Sequence, residues 1–434
     1  MKRFLLDELL KWKESSIRKS LILRGARQVG KSYLIREFGK HFDSFVEVNF
    51  EKDHNLSQIF DGDLEPQKII EKISAAKNTA VIPGKTLLFL DEIQAVPRAV
   101  TALRYFYELM PQLHVISAGS LLEFVLEKTG MPVGRVSSMY LYPLSFKEFL
   151  VASGREMLCD YIDKHDSQNP VSEVFLDQLM TLFGEYMAVG GMPEAVSVWL
   201  EHRDLKKVSE IHHNIIDTYR QDFLKYAKNQ QIHHVDKVFS AVPRMLGRKF
   251  VYSRVDETLK SREIKPALEL LEMAQVIHRV SHSSSNGVPL GAECNYSIFK
   301  TIFIDVGLAQ AILGLSDGEW ILDVKNSVVN RGEIVEAFVG TEILAYSDPH
   351  RPQKLFYWVR EKQNSQAEID FVIQKQDKVI PVEVKSGTTG NLKSMMQFLK
   401  EKPSTPYGIH ISPNNFGIHN NINQIPLCAI WKMF

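Results

Sequence analysis

The sequence predicts an α/β chain that opens on a parallel sheet covered by helices and closes on a second α/β domain. Three observations predict it. Through the first 145 residues, short apolar runs alternate with amphipathic stretches of helical period, the pattern of strands buried between helices. After Pro143 the pattern turns mostly helical, broken at Gly190-Gly191-Met192-Pro193. From Gly332 a helical segment leads into a strand-rich run.

The expected strands of the first region are residues 20–24, 45–50, 86–90, 114–118 and 139–142, with helices over 31–42 and 100–110 between them. Three short helices are expected from Ile232 to Val280. A hairpin follows, with Ser283-Ser284-Ser285-Asn286-Gly287 as its turn and Glu293-Cys294-Asn295-Tyr296 returning. Helices followed by a small hairpin fit a winged helix. A helix over 333–346 and strands over 355–359, 368–374 and 379–385 complete the reading. The expected division is residues 1–145, a helical linker over 146–230, a winged-helix-like segment over 231–300, and a C-terminal domain over 301–434.

Composition excludes several classes of function. Lysine and arginine together equal aspartate and glutamate at 52 each, so nucleic-acid contact requires local clustering rather than a polybasic tail. Cys159, Cys294 and Cys428 are far apart and form no C-x-x-C pair, as expected of incidental thiols in a reducing compartment. No stretch reaches the roughly 18 apolar residues of a membrane span. Met1-Lys2-Arg3-Phe4-Leu5-Leu6-Asp7-Glu8 begins like a secretory signal, but acids and lysines interrupt it. A cytoplasmic protein without a membrane segment is expected.

Gly25-Ala26-Arg27-Gln28-Val29-Gly30-Lys31-Ser32 matches G-x-x-x-x-G-K-[ST]. Glycines let the backbone turn its N–H groups toward phosphates, and Lys31 adds a point charge at the β- and γ-phosphates. The Ser32 hydroxyl is placed to ligate Mg²⁺, and Tyr33 completes the expected ATP-binding set. A buried strand before the loop and a helix carrying Leu34, Ile35 and Phe38 after it supply the context the motif requires. Sixty positions beyond Lys31, Leu87-Leu88-Phe89-Leu90 ends in Asp91-Glu92. A strand tip is where a parallel sheet presents its chemistry. Asp91 is expected to hold Mg²⁺ through water, and Glu92 to deprotonate the attacking water. Ser117 or Ser120, at the end of the next strand, brings a hydroxyl to the γ-phosphate. Arg135 complements transition-state charge, in cis or from a neighbouring subunit, unless it is an ordinary surface arginine.

These segments resemble a large prokaryotic family of AAA+ ATPases whose members carry a C-terminal domain of unknown function. The resemblance rests on the P-loop, Leu90-Asp91-Glu92-Ile93-Gln94, Ala118-Gly119-Ser120, Gly134-Arg135 and Tyr142-Pro143-Leu144-Ser145-Phe146. It continues in Tyr186-Met187-Ala188-Val189-Gly190-Gly191-Met192-Pro193-Glu194, Asp305-Val306-Gly307-Leu308, Arg331-Gly332-Glu333-Ile334-Val335-Glu336 and Val382-Glu383-Val384-Lys385-Ser386-Gly387. It implies a P-loop AAA+ domain with a helical lid, a winged-helix-like segment, and a domain similar to restriction-endonuclease folds.

In the C-terminal region, Asp370 sits on one expected strand. Thirteen residues later, Glu383 and Lys385 share one face of the next, because side chains alternate with period two. Asp370 and Glu383 could bind Mg²⁺ beside a phosphodiester, with Lys385 positioning water and Glu336 adding a carboxylate. The set resembles the PD-(D/E)xK nuclease constellation, with Ile369-Asp370 in place of "PD". The alternative is a half-exposed strand without chemistry. His212-His213 and His233-His234 diverge and chelate poorly. Arg244, Arg248, Lys249 and Arg254, interleaved with Phe250 and Tyr252, form either a DNA-facing surface or a solvated face.

The leading expectation is an ATP- and Mg²⁺-dependent ATPase coupled to a nuclease-like domain that contacts DNA, with oligomers allowed. The alternative is a nucleotide-dependent switch whose C-terminal domain only binds DNA or a protein.

Overall fold

A computed structural model describes every residue except 120–121, 124–129, 131–133, 227–231, 316–317, 361–366 and 388–391. The chain forms two compact units. The first comprises Met1–Tyr142 with Asp348–Pro352, and the second Pro143–Ser347 with Gln353–Phe434.

Five parallel strands form the first unit's sheet: β1 (Ser20–Arg24), β2 (Ser44–Asn49), β3 (Thr86–Asp91), β4 (His114–Ala118) and β5 (Val136–Tyr140). Their order is β2-β3-β4-β1-β5. β3 and β4 are buried along their whole length because helices cover both faces, and β3 accordingly reads as a continuous apolar run rather than an alternating one. Leu88, Leu90 and Val115 pack with Ile69, Ile70, Val100, Leu103 and Phe106 in one core. β5 lies slightly earlier than expected, and the helix after β1 ends at Gly39 rather than Phe42. β5 is a sheet edge, and at its last residue the Tyr140 N–H donates to the Pro349 carbonyl at 2.9 Å.

The second unit begins with helices Phe146–Ala152, Glu156–Asp163, Glu173–Val189, Pro193–His202 and Leu205–Tyr226. Its aromatic core packs edge to face: Phe146 lies 5.7 Å from Phe183, and Phe183 lies 5.0 Å from Phe338. Two distant segments noted in the sequence meet here. The Gly191 N–H donates to Asp305 Oδ2 at 2.6 Å, and the Leu308 N–H to Oδ1 at 2.9 Å. His212 is fully buried beside them with Nε2 2.9 Å from the Val189 carbonyl, whereas His213 faces outward.

An eight-stranded mixed sheet follows: β6 (Ile277–Ser283), β7 (Cys294–Phe303), β8 (Leu355–Val359), β9 (Glu368–Lys375), β10 (Lys378–Val384), β11 (Gly408–Ser412), β12 (Gly417–His419) and β13 (Ile422–Pro426). The order is β12-β13-β11-β10-β9-β8-β6-β7. The expected wing is the antiparallel hairpin β6–β7, but β6 also pairs in parallel with β8. The winged-helix-like segment is therefore not separate: its hairpin belongs to the C-terminal sheet, and the boundary expected at residue 300 falls inside β7. A parallel pairing across some 70 residues leaves no local signal in the sequence. Among the described residues, no helix is long and apolar enough to cross a membrane.

Helix Gly332–Tyr346 carries Glu342, fully buried, whose Oε1 accepts from the Phe146 N–H at 3.0 Å. Burial pushes its carboxyl up to about 8. The folded state thus holds a proton that the unfolded chain, titrating near the ordinary value, releases. This contribution is fully present below about pH 4.5 and is lost as pH rises through about 8, at up to ~1.4 kcal/mol per pH unit. Glu342→Gln should flatten the decline in urea midpoint between pH 6 and pH 8. Identical slopes in wild type and variant would mean that Glu342 is ionised in the fold.

Candidate functional site

The turn after β1 carries positive φ at Gly25 (151°), Gln28 (65°) and Gly30 (95°), a curl that points successive N–H groups inward. A Cβ at Gly25 would lie 2.3 Å from the Leu141 carbonyl oxygen, so only glycine fits. Ala26 and Val29 are buried, and helix Lys31–Gly39 starts directly from Gly30. Lys31 is almost fully buried, and its Nζ donates to the Gly25 and Ala26 carbonyls at 2.8 and 2.7 Å. Burial lowers its pKa to about 8, against the pull of Glu92 and Asp91. Arg27 is near enough to depress that pKa further. Tyr33 is exposed, its hydroxyl accepting from the Met1 amino group at 2.6 Å.

β4 separates β1 from β3, yet the parallel register brings the β3 tip level with the P-loop. Ser32 Oγ donates to Asp91 Oδ2 at 3.0 Å, and Asn49 Nδ2 reaches the same oxygen at 3.0 Å. Burial, then the neighbouring Glu92 charge, raises the Asp91 pKa. A hydroxyl and a carboxylate this close are a hard-oxygen donor pair suited to Mg²⁺. Glu92 adopts φ 51°, a left-handed conformation costing a non-glycine residue roughly 1–2 kcal/mol. Its Oε2 accepts from Gln94 Nε2 at 2.5 Å. A Cβ at residue 119 would lie 2.0 Å from Gln94 Oε1, so Gly119 at the β4 tip makes room for that amide.

Ser117 is fully buried, with Oγ 3.4 Å from the Leu21 carbonyl, so its hydroxyl stays within the sheet. Ser120 lies outside the described residues. Arg135 corrects part of the expectation. It precedes β5, whose first residue pairs with Ser20, so it sits at the sheet edge opposite the P-loop. Four strand steps, roughly 13 Å, separate Ser20 from Arg24. Its Nε instead donates to Glu108 Oε1 at 2.7 Å, which removes the cis reading.

Three residues were missed in the sequence. Asn49 and Gln94 hold the two acids. Arg3, nearly buried, braces the loop by donating to the Val29 carbonyl at 2.8 Å and the Tyr142 carbonyl at 2.6 Å. Their partners lie between two and 139 positions away; only the two-residue step from Glu92 to Gln94 was visible locally.

In the second unit, β9–β10 pairs Val382 with Phe371, and extending that register sets Glu383 opposite Asp370. Asp370 Oδ2 accepts from the Val384 N–H at 2.7 Å. Lys385 Nζ lies 2.7 Å from Glu383 Oε1, and Glu383 is almost fully buried. Burial raises both carboxyl pKa values. The sequence-predicted acids thus come together, and Glu336 joins them through Lys300 Nζ at 2.8 Å. Among the described residues, however, no three His, Cys, Asp or Glu side chains form a metal-holding group. Of the basic cluster, Arg244, Arg248, Lys249 and Arg254 are exposed and Arg248 pairs with Glu333 at 2.8 Å. Phe250 is core, stacked 5.3 Å from Phe299, so it is not a base-stacking platform.

Residues 17–150 match the family model described as an AAA domain. Residues 180–319 and 331–430 match two domains of unknown function, DUF8612 and DUF4143. An uncharacterized protein of Haemophilus influenzae is 24% identical over 400 residues, covering 87% of this chain and 85% of that protein. The Walker-type ATPase PABY2304 of Pyrococcus abyssi is similar at 14% identity and TM-score 0.46, over 71% of this chain and 94% of that one. The Aeropyrum pernix ORC1 protein in complex with DNA is similar at 12% identity and TM-score 0.27, over 72% and 93%. Residues 17–150, most of the first unit, are thus similar to an AAA domain.

Proposed function

From an AAA-type domain in residues 17–150, we propose that the protein is a cytoplasmic Mg²⁺-dependent ATPase whose second unit contacts DNA. The observation carrying this reading is the 3.0 Å approach of Ser32 to Asp91 directly behind Lys31 and the curled loop. The loop N–H groups and Lys31 bind the phosphates; Ser32 and Asp91 would hold Mg²⁺, which would supply neutralisation of phosphate charge. Glu92, held by Gln94, takes the proton of a water that attacks the γ-phosphorus. The bond to the β-phosphate oxygen breaks, leaving ADP and phosphate. Arg135 acts, in this reading, from a neighbouring subunit.

A second, finer reading is that Asp370, Glu383 and Lys385 are a nuclease-like constellation, favoured by their convergence where β9 meets β10. The exposed cations Arg244, Lys249 and Arg254 support contact with DNA phosphates. Phosphate release by the full chain, with and without single-stranded, duplex or branched DNA, tests both unit roles. Mg²⁺-dependent hydrolysis rising several-fold with one DNA form is expected. No hydrolysis under any condition removes the ATPase. Hydrolysis indifferent to every DNA form removes the DNA contact and favours a switch acting on a protein partner.

A further inference from the structure

β7 contributes a lysine that the nucleotide chemistry does not use. The Lys300 side chain is only 3% exposed, a depth at which an unpaired ammonium is very costly. Carboxylates from two other elements surround it. Glu336, on helix Gly332–Tyr346, lies 2.8 Å from Nζ; Glu368, at the start of β9, is in direct contact; Asp370 Oδ1 stands 4.0 Å away. The Tyr357 ring faces the ammonium at 5.3 Å. Burial disfavours the Lys300 charge, but the three acids outweigh it and hold its pKa above the ordinary value.

Glu383 extends the cluster past Asp370. One of its oxygens pairs with Lys385, and Oε2 is buried away from solvent. Four carboxylates (Glu336, Glu368, Asp370, Glu383) therefore face two ammonium groups (Lys300, Lys385). Carboxyl oxygens thus outnumber ammonium groups here, although no three of these acids among the described residues form a metal-holding group. A cavity of about 360 Å³, lined by Lys249, His282, Lys300, Tyr357, Arg360 and Glu368, reaches two members of the cluster, Lys300 and Glu368. It has room for several waters, each needing about 30 Å³.

We propose that the Lys300 ammonium is the resident cation of this cluster, standing where a divalent metal would otherwise coordinate. This rests on the reading of Asp370, Glu383 and Lys385 as a nuclease-like site. Lys300 holds Glu336 and Glu368 through N–H bonds and stands 4.0 Å from Asp370 Oδ1, whereas Mg²⁺ or Mn²⁺ would need these oxygens at about 2.1 Å. A second positive centre among these carboxylates would also repel the first. The second unit accordingly keeps a nuclease-like frame closed to metal, and it meets phosphodiesters without cutting them.

The test is Mn²⁺ titration of the full chain without nucleotide, followed by the loss of the free-ion electron paramagnetic resonance signal. Lys300→Met should bind Mn²⁺ at least tenfold more tightly than wild type, and adding Asp370→Asn should abolish the gain. Wild type binding as tightly as Lys300→Met, with the binding lost in Asp370→Asn, overturns the role of Lys300 and leaves the nuclease-like reading standing. Saturable binding in neither protein beyond that of Asp370→Asn removes that reading and the proposal with it. Should Lys300→Met fail to fold, wild type compared with Asp370→Asn decides. Its melting temperature should respond to Mn²⁺ no more than that of Asp370→Asn, and a rise specific to wild type overturns the proposal.

Discussion

Lys31→Ala lowers kcat/KM for Mg·ATP by about 10³-fold while the protein remains folded. Lys31 is the cation of the P-loop, and its ammonium already lies among the loop carbonyls of Gly25 and Ala26. Losing one charge-assisted contact to phosphate costs roughly 1.5–3 kcal/mol of binding, about tenfold to a hundredfold in Kd. Removing a donor aimed at charge that develops in the transition state costs a further ~10²-fold in turnover. The fold is spared because β1 and helix Lys31–Gly39 are anchored by Leu21, Ile22, Leu34, Ile35 and Phe38, all buried independently of this side chain. Calorimetry gives the affinity and phosphate release the turnover. Both unchanged in the variant would remove nucleotide binding from this loop.

Glu92→Gln leaves Mg·ATP affinity within about twofold of wild type and lowers turnover ~10²-fold or more. The substitution preserves shape at a backbone position of φ 51°, so the strand tip is not rebuilt. It removes the basicity that accepts the water proton, which acts in the chemical step rather than in ground-state binding. Gln94 donates to Oε2 of this carboxylate, and a glutamine can offer an oxygen in the same place. Equal turnover would assign proton acceptance to another group. Mixing this variant with Arg135→Ala also tests the neighbouring-subunit role. Partial recovery of hydrolysis requires an interface at which one chain lends Arg135 to the intact Glu92 of another. A monomer with full activity rules that role out.

The legibility of the molecule follows the sequence distance of the interactions. The P-loop could be read because its glycines, lysine and serine lie within eight residues and their spacing is itself the geometry. β1 and β3 could be read because burial on both faces makes each a nearly continuous apolar run. The order of those strands is a matter of crossovers and leaves no comparable trace, which is why Arg135 was admitted as a cis residue. In the second unit, β11 to β13 passed unnoticed. His410 interrupts the apolar pattern of Gly408–Ser412, and Gly417–His419 is only three residues long. Lys300 reads as the outward residue of an alternating strand; only acids arriving from positions 336, 368 and 370 make burial tolerable. Asp370, Glu383 and Lys385 were legible as a set, because two adjacent antiparallel strands convert a spacing of thirteen into a facing pair.

The return of Asp348–Pro352 to the first unit changes what counts as an excisable ATPase domain. A fragment cut after Tyr142 contains every strand, the P-loop and both acids, and it would look complete from sequence. It nevertheless lacks Pro349, the acceptor for the Tyr140 amide, and it loses His350, which lies 3.5 Å from Glu8 on the N-terminal helix Leu5–Glu14. β5 borders the sheet, so its unpaired end becomes a template onto which a second fragment can add a strand. Poor solubility of such a fragment would therefore report a missing five-residue patch rather than an unstable nucleotide-binding fold. Supplying residues 348–352 as a linked segment is the way to tell the two apart.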